Sequence, residues 1–362
     1  MTMALLSPFA IGELTLKNRI VMAPMTRSRS IIDNIPNELA SEYYSQRASA
    51  GLIITEGVQV APEGIGYLWT PGNYTKEQQA EWIKINDAVH KKDGLIFQQL
   101  WHTGRIGHSS LRPNNTLPLA PSAIAPEGKV YTSNGMVDYE TPAEMTNDDI
   151  KRTLNQFKIA AQNAKNTGFD GVDIHGAFGY IIDQFIESGS NKRNDEYGGT
   201  PEKRIKFAIE LVETVLEVWD SKRVGIKLSP SNVFNSMHDD NPKETFSLLL
   251  NKLNEYDLAY VMLMEPQGDV SKLPNYVTNV AEYFRNFYKG NLIANAGMTK
   301  EKANELIEKG TAQLVAFGSL FLANPDLPKR FELNAALNQP NKKTFYGGGK
   351  EGYTDYPFYE KK

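Results

Sequence analysis

Apolar positions along this chain alternate between two patterns. Short runs of Val, Ile, Leu and Phe give way to longer stretches where apolar residues return every three or four positions. The runs that read as strands are Ile20–Met22, Leu52–Thr55, Leu95–Leu100, Gly171–His175, Val224–Ser229, Tyr260–Leu263, Leu292–Ala294 and Leu314–Phe317. Strands alternating with amphipathic helices imply parallel pairing through helical crossovers. About eight such units predict an α/β fold, a single (β/α)8 TIM barrel over residues 1–362. No glycine-rich fingerprint follows the first strand, which disfavours a doubly wound dinucleotide-binding sheet.

Two helices carry the pattern cleanly. After Thr146, the residues Ile150, Leu154, Phe157, Ala161 and Ala164 mark one face. Thr146 with Asp149 predicts a capping box, and Gly168 stands where a C-terminal cap belongs. Thr200 reads as a second N-cap, with Pro201 at the first helical position. Ile205, Ala208, Val212, Val215 and Trp219 then mark the buried face.

The strands that follow alternate. Val224, Ile226 and Leu228 share one face, and Gly225, Lys227 and Ser229 the other. The apolar face of a barrel strand meets the helices, so Lys227 is expected to point inward. By the same parity Val172 and Ile174 face out, while Asp173 and His175 face in. Polar side chains at the C-terminal ends of barrel strands are where such folds carry chemistry. An inward lysine must find a charge partner or lose its proton.

Three segments break the rhythm. Pro8–Leu16 reads as a hairpin around Gly12 that closes the barrel bottom. The segment from His102 to Glu144 is rich in Pro, Gly, Ser and Asn, and loops of that length form lids or binding walls. The tail from Phe345 holds three consecutive glycines and several Tyr and Phe residues, so it is expected to pack over a site.

Composition removes whole classes of function. The charges, 39 Lys+Arg against 43 Asp+Glu, leave −4, which argues against a nucleic-acid or polybasic membrane surface. There is no cysteine, so disulfides, thiolate metal sites and a Cys nucleophile are excluded. No uncharged apolar run approaches the roughly 18 residues of a membrane span. Met1–Ala10 has no basic region and is broken by Pro8, unlike a signal peptide. A cytoplasmic protein with a small-molecule substrate is the expectation.

Six strings then stand out: APMTRSR (23–29), QLWHTGR (99–105), IHGAFGYIIDQF (174–185), SNKRNDEYGG (190–199), AFGSLFLANPDL (316–327) and FYGGGKEGYTDYP (345–357). Together and in this order they resemble the Old Yellow Enzyme family of FMN-dependent ene-reductases, with the bacterial N-ethylmaleimide and nitrate-ester reductases most similar. The resemblance runs from about Pro8 to Pro357. It implies a single barrel with FMN at the C-terminal mouth, reduced by NADPH or NADH, and hydride delivery to the β-carbon of an electron-poor alkene.

The resemblance also assigns roles. Pro24, Met25 and Thr26 end the first strand against the flavin, and Thr26 matches the donor to its C4 carbonyl. Gly57 matches a point of close backbone approach. Gln99 matches the amide that pairs with the pyrimidine edge, which needs both a donor and an acceptor. Tyr67 and Trp101 match aromatic walls of the substrate pocket. His175 matches the donor to the substrate's carbonyl or nitro oxygen, and Tyr180 the phenol that protonates the alkene carbon. Tyr353 matches a tail aromatic over the pocket. Three positions depart from the pattern. Phe178 stands where a second His or Asn donor is usual, Lys227 replaces an arginine beside flavin N1, and Ser319 replaces the arginine that clamps the phosphate.

Asn295 and Gly297, after the seventh strand, and Gly318 and Ser319, after the eighth, also fit a phosphate site without any resemblance. Barrels bind phosphate through these two loops, and backbone N–H groups can hold it. Two rival readings stand beside the flavin enzyme. One is a flavin-free Schiff-base barrel with Lys227 as nucleophile. The other is a non-catalytic descendant that binds a ligand, motivated by Phe178 and Ser319.

Overall fold

The computed structural model describes residues 3–361. Met1, Thr2 and Lys362, the ends of the single-domain span read above, lie outside the described residues. Eight parallel strands close into a barrel: β1 (Ile20–Met22), β2 (Leu52–Gln59), β3 (Ile96–Trp101), β4 (Gly171–Gly176), β5 (Val224–Leu228), β6 (Tyr260–Met264), β7 (Leu292–Asn295) and β8 (Leu314–Phe317). Each strand pairs with the next in chain order, and β8 returns to β1. No helix among the described residues is long and apolar enough to cross a membrane.

The alternation read from sequence sorts residues into two cores. Val172, Ile174, Val224, Ile226 and Leu228 pack outward against helix residues that include Phe157, Ala161, Val212 and Val215. A second core fills the barrel, with Leu52, Ile54, Phe97, Tyr260, Met262, Ile293 and Leu314. Ile11, Leu14 and Leu16 join it from an antiparallel hairpin, Phe9–Ile11 against Leu14–Leu16. That hairpin plugs the bottom of the barrel, as expected.

The helix Asn147–Asn166 begins with the capping box of Thr146 and Asp149, and Gly168 follows its end at φ 86°. The second helix differs from expectation. Thr200 makes no side-chain capping bond, and the segment divides into Pro201–Arg204 and Lys206–Leu216. Arg204 turns its buried guanidinium inward, donating to the carbonyls of Ile186 and Gly199 and to Asp239. The second piece then keeps Phe207, Ala208, Leu211, Val212 and Val215 on the core side.

β2 also runs past its expected end. Its register against β3 shifts between Ile54 and Gly57, so Thr55 and Glu56 form a bulge. The bulge lets the Thr55 hydroxyl accept the Gln99 backbone N–H at 3.0 Å. Glu56 turns toward the end of β1, where its carboxylate accepts the Arg27 N–H at 2.9 Å. The long loop after β3 is structured as well. It contains an antiparallel pair, Lys129–Thr132 with Gly135–Asp138.

Candidate active site

Register brings the inward polar residues together. Asp173 on β4 lies opposite Gln99 on β3, and His175 on β4 lies opposite Lys227 on β5. Asp173 is fully buried. Its carboxylate accepts the Gln99 side-chain N–H at 2.8 Å and the Tyr260 hydroxyl at 3.0 Å. Tyr260 reaches across because Gly225 opposes it; a Cβ there would sit 2.2 Å from the Tyr260 ring. Burial raises the Asp173 carboxyl to about 6, against the bonds from Gln99 and Tyr260 and the charge of Lys227. Burial lowers Lys227 to about 8, with Asp173 acting the other way.

Two polar atoms of this floor remain free. The Gln99 carbonyl oxygen and the Lys227 ammonium have no hydrogen-bond or ion-pair partner among the described residues. The Phe178 ring centroid lies 5.7 Å from the ammonium. A charge buried this far is costly unless something neutralises it.

Above the floor stands an aromatic wall. The Tyr67 and Trp101 rings stack 5.7 Å apart, and His175 lies nearly parallel to Trp101 at 6.1 Å. Tyr180 stands edge-on to His175 at 4.9 Å. The Ala177 N–H donates to His175 Nδ1 at 3.4 Å, so the ring proton sits on Nε2. Burial, then the charge of Lys227, holds His175 well below the ordinary imidazole range, so it is neutral. Burial pushes the Tyr180 phenol up, so it is protonated.

The turn carrying these groups is tightly held. Phe178 and Gly179 both have positive φ, 64° and 76°. The Phe178 N–H donates to Ser229 Oγ, and the Gly179 N–H donates to Asp183, both at 2.8 Å. Asn235 donates to the Phe178 carbonyl at 2.8 Å. Phe178 itself is half-buried and packs against the cluster of Trp101, Ile106 and Tyr180.

The β1 end contributes Pro24, Met25 and Thr26; Pro24 is buried and the other two partly exposed. Gly57, expected at a point of close backbone approach to the flavin, also has a packing reason. It lies inside β2, and a Cβ there would meet the Trp101 ring at 2.5 Å, so the glycine makes room for the wall. At the far rim Ala296 and Gly297 both adopt left-handed conformations, φ 71° and 66°, and open space surrounds Gly297. Gly318 packs against Met25, and Ser319 is exposed. The Asn295 side chain is engaged, donating to the Ala316 carbonyl at 3.2 Å.

Tyr353 is not in the pocket. Its ring is 1% exposed and stacks on Tyr43, 4.2 Å between centroids, with the guanidiniums of Arg27 and Arg29 over it. Those two arginines strap the tail by donating to the carbonyls of Thr344, Phe345, Gly349, Glu351 and Gly352. The strapped tail instead brings Tyr346 close enough to act electrostatically on Tyr180. Neither spacing nor composition separates these two tyrosines in the tail string. Tyr260, Glu56 and Asp183 were likewise not singled out, since the first reads as an ordinary strand residue and the other two as surface acids.

Comparison with known proteins follows the same lines. Residues 4–338 match the family model described as the NADH:flavin oxidoreductase / NADH oxidase family. The chain is 42% identical over 361 residues to 12-oxophytodienoate reductase 1 of Oryza sativa subsp. japonica, covering 98% of this chain and 93% of that protein. It is 40% identical over 366 residues to 12-oxophytodienoate reductase 2 of Arabidopsis thaliana, covering 98% and 96%. Among solved structures, morphinone reductase in complex with tetrahydroNAD superposes with a TM-score of 0.93 at 41% identity, covering 99% of this chain and 98% of that one. An old yellow enzyme homologue from Zymomonas mobilis gives 0.93 at 38%, covering 98% and 99%.

Proposed function

The chain belongs to the NADH:flavin oxidoreductase / NADH oxidase family, and from that premise we propose that it is an FMN-dependent ene-reductase of the Old Yellow Enzyme type. The reductant is NADPH or NADH. The substrate is an alkene made electron-poor by a carbonyl, imide or nitro group, with nitrate esters as a related acceptor.

The residues present fit the flavin. The free Gln99 carbonyl and its partnered amide offer an acceptor and a donor to the pyrimidine edge. The free Lys227 ammonium supplies a positive charge to a group whose negative charge grows on reduction. Pro24, Met25 and Thr26 line the edge nearer β1. The open turn at Gly297, with Asn295 shaping it and Gly318 and Ser319 opposite, is the phosphate end. No arginine replaces the usual phosphate clamp, so backbone N–H groups carry that contact. The chemistry the bound flavin supplies is hydride transfer, from the nicotinamide to the β-carbon of the alkene.

This chain's own residues do the rest. His175 Nε2–H donates to the activating oxygen of the substrate, where negative charge grows as hydride arrives. Tyr180 O–H gives its proton to the α-carbon. Tyr67 and Trp101 form a flat wall for a planar conjugated system, and Tyr346 from the tail helps close the outer side. Phe178 offers an apolar surface where a second donor is usual, so His175 works without a protein partner at that oxygen.

One observation carries the reading: the His175 imidazole, whose Nδ1 accepts the Ala177 N–H, and the Tyr180 phenol meet edge-on on one wall with ring centroids 4.9 Å apart. The test is FMN uptake followed by anaerobic addition of NADPH or NADH. Stoichiometric yellow colour that bleaches with a nicotinamide supports the proposal. A protein that takes up no FMN contradicts it.

A further inference from the structure

The turn between His175 and Tyr180 is built from an unfavourable conformation. Phe178 and Gly179 are consecutive left-handed residues, φ 64° and 76°. Glycine adopts this region freely, but a bulky residue does so only where its surroundings over-determine it. Here all four backbone polar groups of the two residues are held. The Phe178 N–H donates to Ser229 Oγ and the Gly179 N–H to Asp183 Oδ2, both at 2.8 Å. The Phe178 carbonyl accepts from Asn235 at 2.8 Å, and the Gly179 carbonyl from Gln184 at 2.7 Å.

Asp183 is the charged member of that set. It is fully buried, and neither flavin nor substrate binding gives it a role. Its Oδ2 also accepts the Ser229 hydroxyl at 3.2 Å. One carboxylate oxygen thus serves both N–H groups, that of Gly179 directly and that of Phe178 through Ser229. Burial raises the Asp183 carboxyl, and the bonds from Gly179 and Ser229 draw it back toward the ionised form. Its Oδ1 has no hydrogen-bond partner among the described residues. A buried carboxylate with one idle oxygen is a costly way to fasten a turn for stability alone.

What the turn delivers is Tyr180, which follows Gly179 and precedes the helix Ile181–Ile186. The Tyr180 hydroxyl has a single hydrogen-bond partner among the described residues, the Tyr67 hydroxyl at 3.3 Å. That is long for a bond between hydroxyls, so the tip of the ring is loosely held. The direction of the phenol is therefore set by its backbone. A proton donor must sit within hydrogen-bond reach of the atom it protonates, and a misplacement of about 1 Å can cost roughly a hundred-fold.

We propose that Asp183 is a positioning residue: through the Gly179 N–H, and through Ser229 to the Phe178 N–H, it holds the left-handed turn that aims the Tyr180 phenol. The proposal rests on the assignment of Tyr180 as proton donor. Asp183 acts through Tyr180 and needs no contact with substrate or flavin.

The test uses FMN-loaded enzyme, reduced anaerobically and mixed rapidly with 2-cyclohexenone. Asp183→Ala removes the shared acceptor, and its reoxidation rate should fall roughly ten-fold or more. Asp183→Asn keeps a side-chain oxygen for the Gly179 N–H and should recover most of that loss. Ser229→Ala leaves the Gly179 bond in place and should lose less than Asp183→Ala. Bleaching by NADPH or NADH needs no phenol proton and should stay near wild type in all three. The decisive readout is coupling between sites. On top of Tyr180→Phe, Asp183→Ala should add little further loss, because no phenol proton remains to be aimed. A loss repeated in full in that double variant, equal slowing of bleaching and reoxidation, or wild-type reoxidation in both Asp183→Ala and Ser229→Ala would overturn the proposal. If Asp183→Ala does not fold, Ser229→Ala carries the same comparison, alone and with Tyr180→Phe. If Tyr180→Phe by itself reoxidises at the wild-type rate, the assignment of Tyr180 fails. If it is slow while Asp183→Ala and Ser229→Ala are not, only the positioning role fails.

Discussion

Gln99 donates its side-chain amide N–H to Asp173 across 2.8 Å, and strand register sets the two residues side by side in the barrel floor. That bond fixes which way the Gln99 amide faces and leaves its carbonyl oxygen free for the flavin edge. Asp173→Ala would remove the acceptor that holds the Gln99 side-chain N–H. Loss of one bond to a charged group is worth about 1.5–3 kcal/mol. FMN affinity should fall roughly ten- to a hundred-fold, measured by fluorescence quenching on titration. Asp173 is raised to about 6, so below that pH it gains a proton and wild-type affinity should drop. The variant should lack this dependence. An unchanged Kd in Asp173→Ala would show that the bond does not orient Gln99.

Lys227 is expected to set the reduction potential of the bound flavin. An ammonium near developing negative charge is worth about 1.5–3 kcal/mol, or roughly 30–60 mV for a two-electron couple. Lys227→Met should lower the potential by that order and slow reduction by nicotinamide. Burial holds Lys227 near 8, so it loses its charge as pH rises past that value. The gap between wild type and variant should therefore narrow above about pH 8. A Schiff-base barrel predicts something else: borohydride would fix a carbonyl substrate covalently on Lys227, visible by mass spectrometry.

Phe178 occupies a left-handed position at φ 64°, and histidine is among the residues that tolerate this region. Phe178→His should therefore fold and add a second donor beside His175. Removing one such donor costs roughly a hundred-fold or more in other enzymes. A partial gain, in enone reduction and in phenol affinity, should be measurable by rapid mixing and titration. No gain in either would show that residue 178 does not face the substrate oxygen.

The two tail tyrosines should separate cleanly. Tyr353→Ala removes a buried ring stacked on Tyr43 and should cost about 3–5 kcal/mol in stability. Tyr346 is 67% exposed, so Tyr346→Ala should change stability by about 0.5 kcal/mol or less and instead weaken phenol binding. Thermal denaturation and phenol titration of both variants check the contrast.

The barrel was legible because its strands are short apolar runs separated by periodic helices, and because inward polar residues break their alternation. Asp173, His175 and Lys227 stood out for that reason. What surrounds them did not. Tyr260 looks like any strand aromatic until Gly225 is seen to clear its path to Asp173. The bulge at Thr55 and Glu56 adds residues that a period of two cannot register. The tail has no period, so its tyrosines could be ranked only by the carbonyls that Arg27 and Arg29 hold. The break at Ile205 reflects where Arg204 finds partners, which is a tertiary fact.

Reoxidation of the reduced enzyme by an alkene bears most directly on the central claim. FMN-loaded protein would be bleached anaerobically with one equivalent of NADPH or NADH and then given 2-cyclohexenone. The account predicts that the yellow absorbance returns with one equivalent of cyclohexanone, and that His175→Ala returns it far more slowly. Flavin that stays bleached, with the enone recovered unchanged, would contradict it.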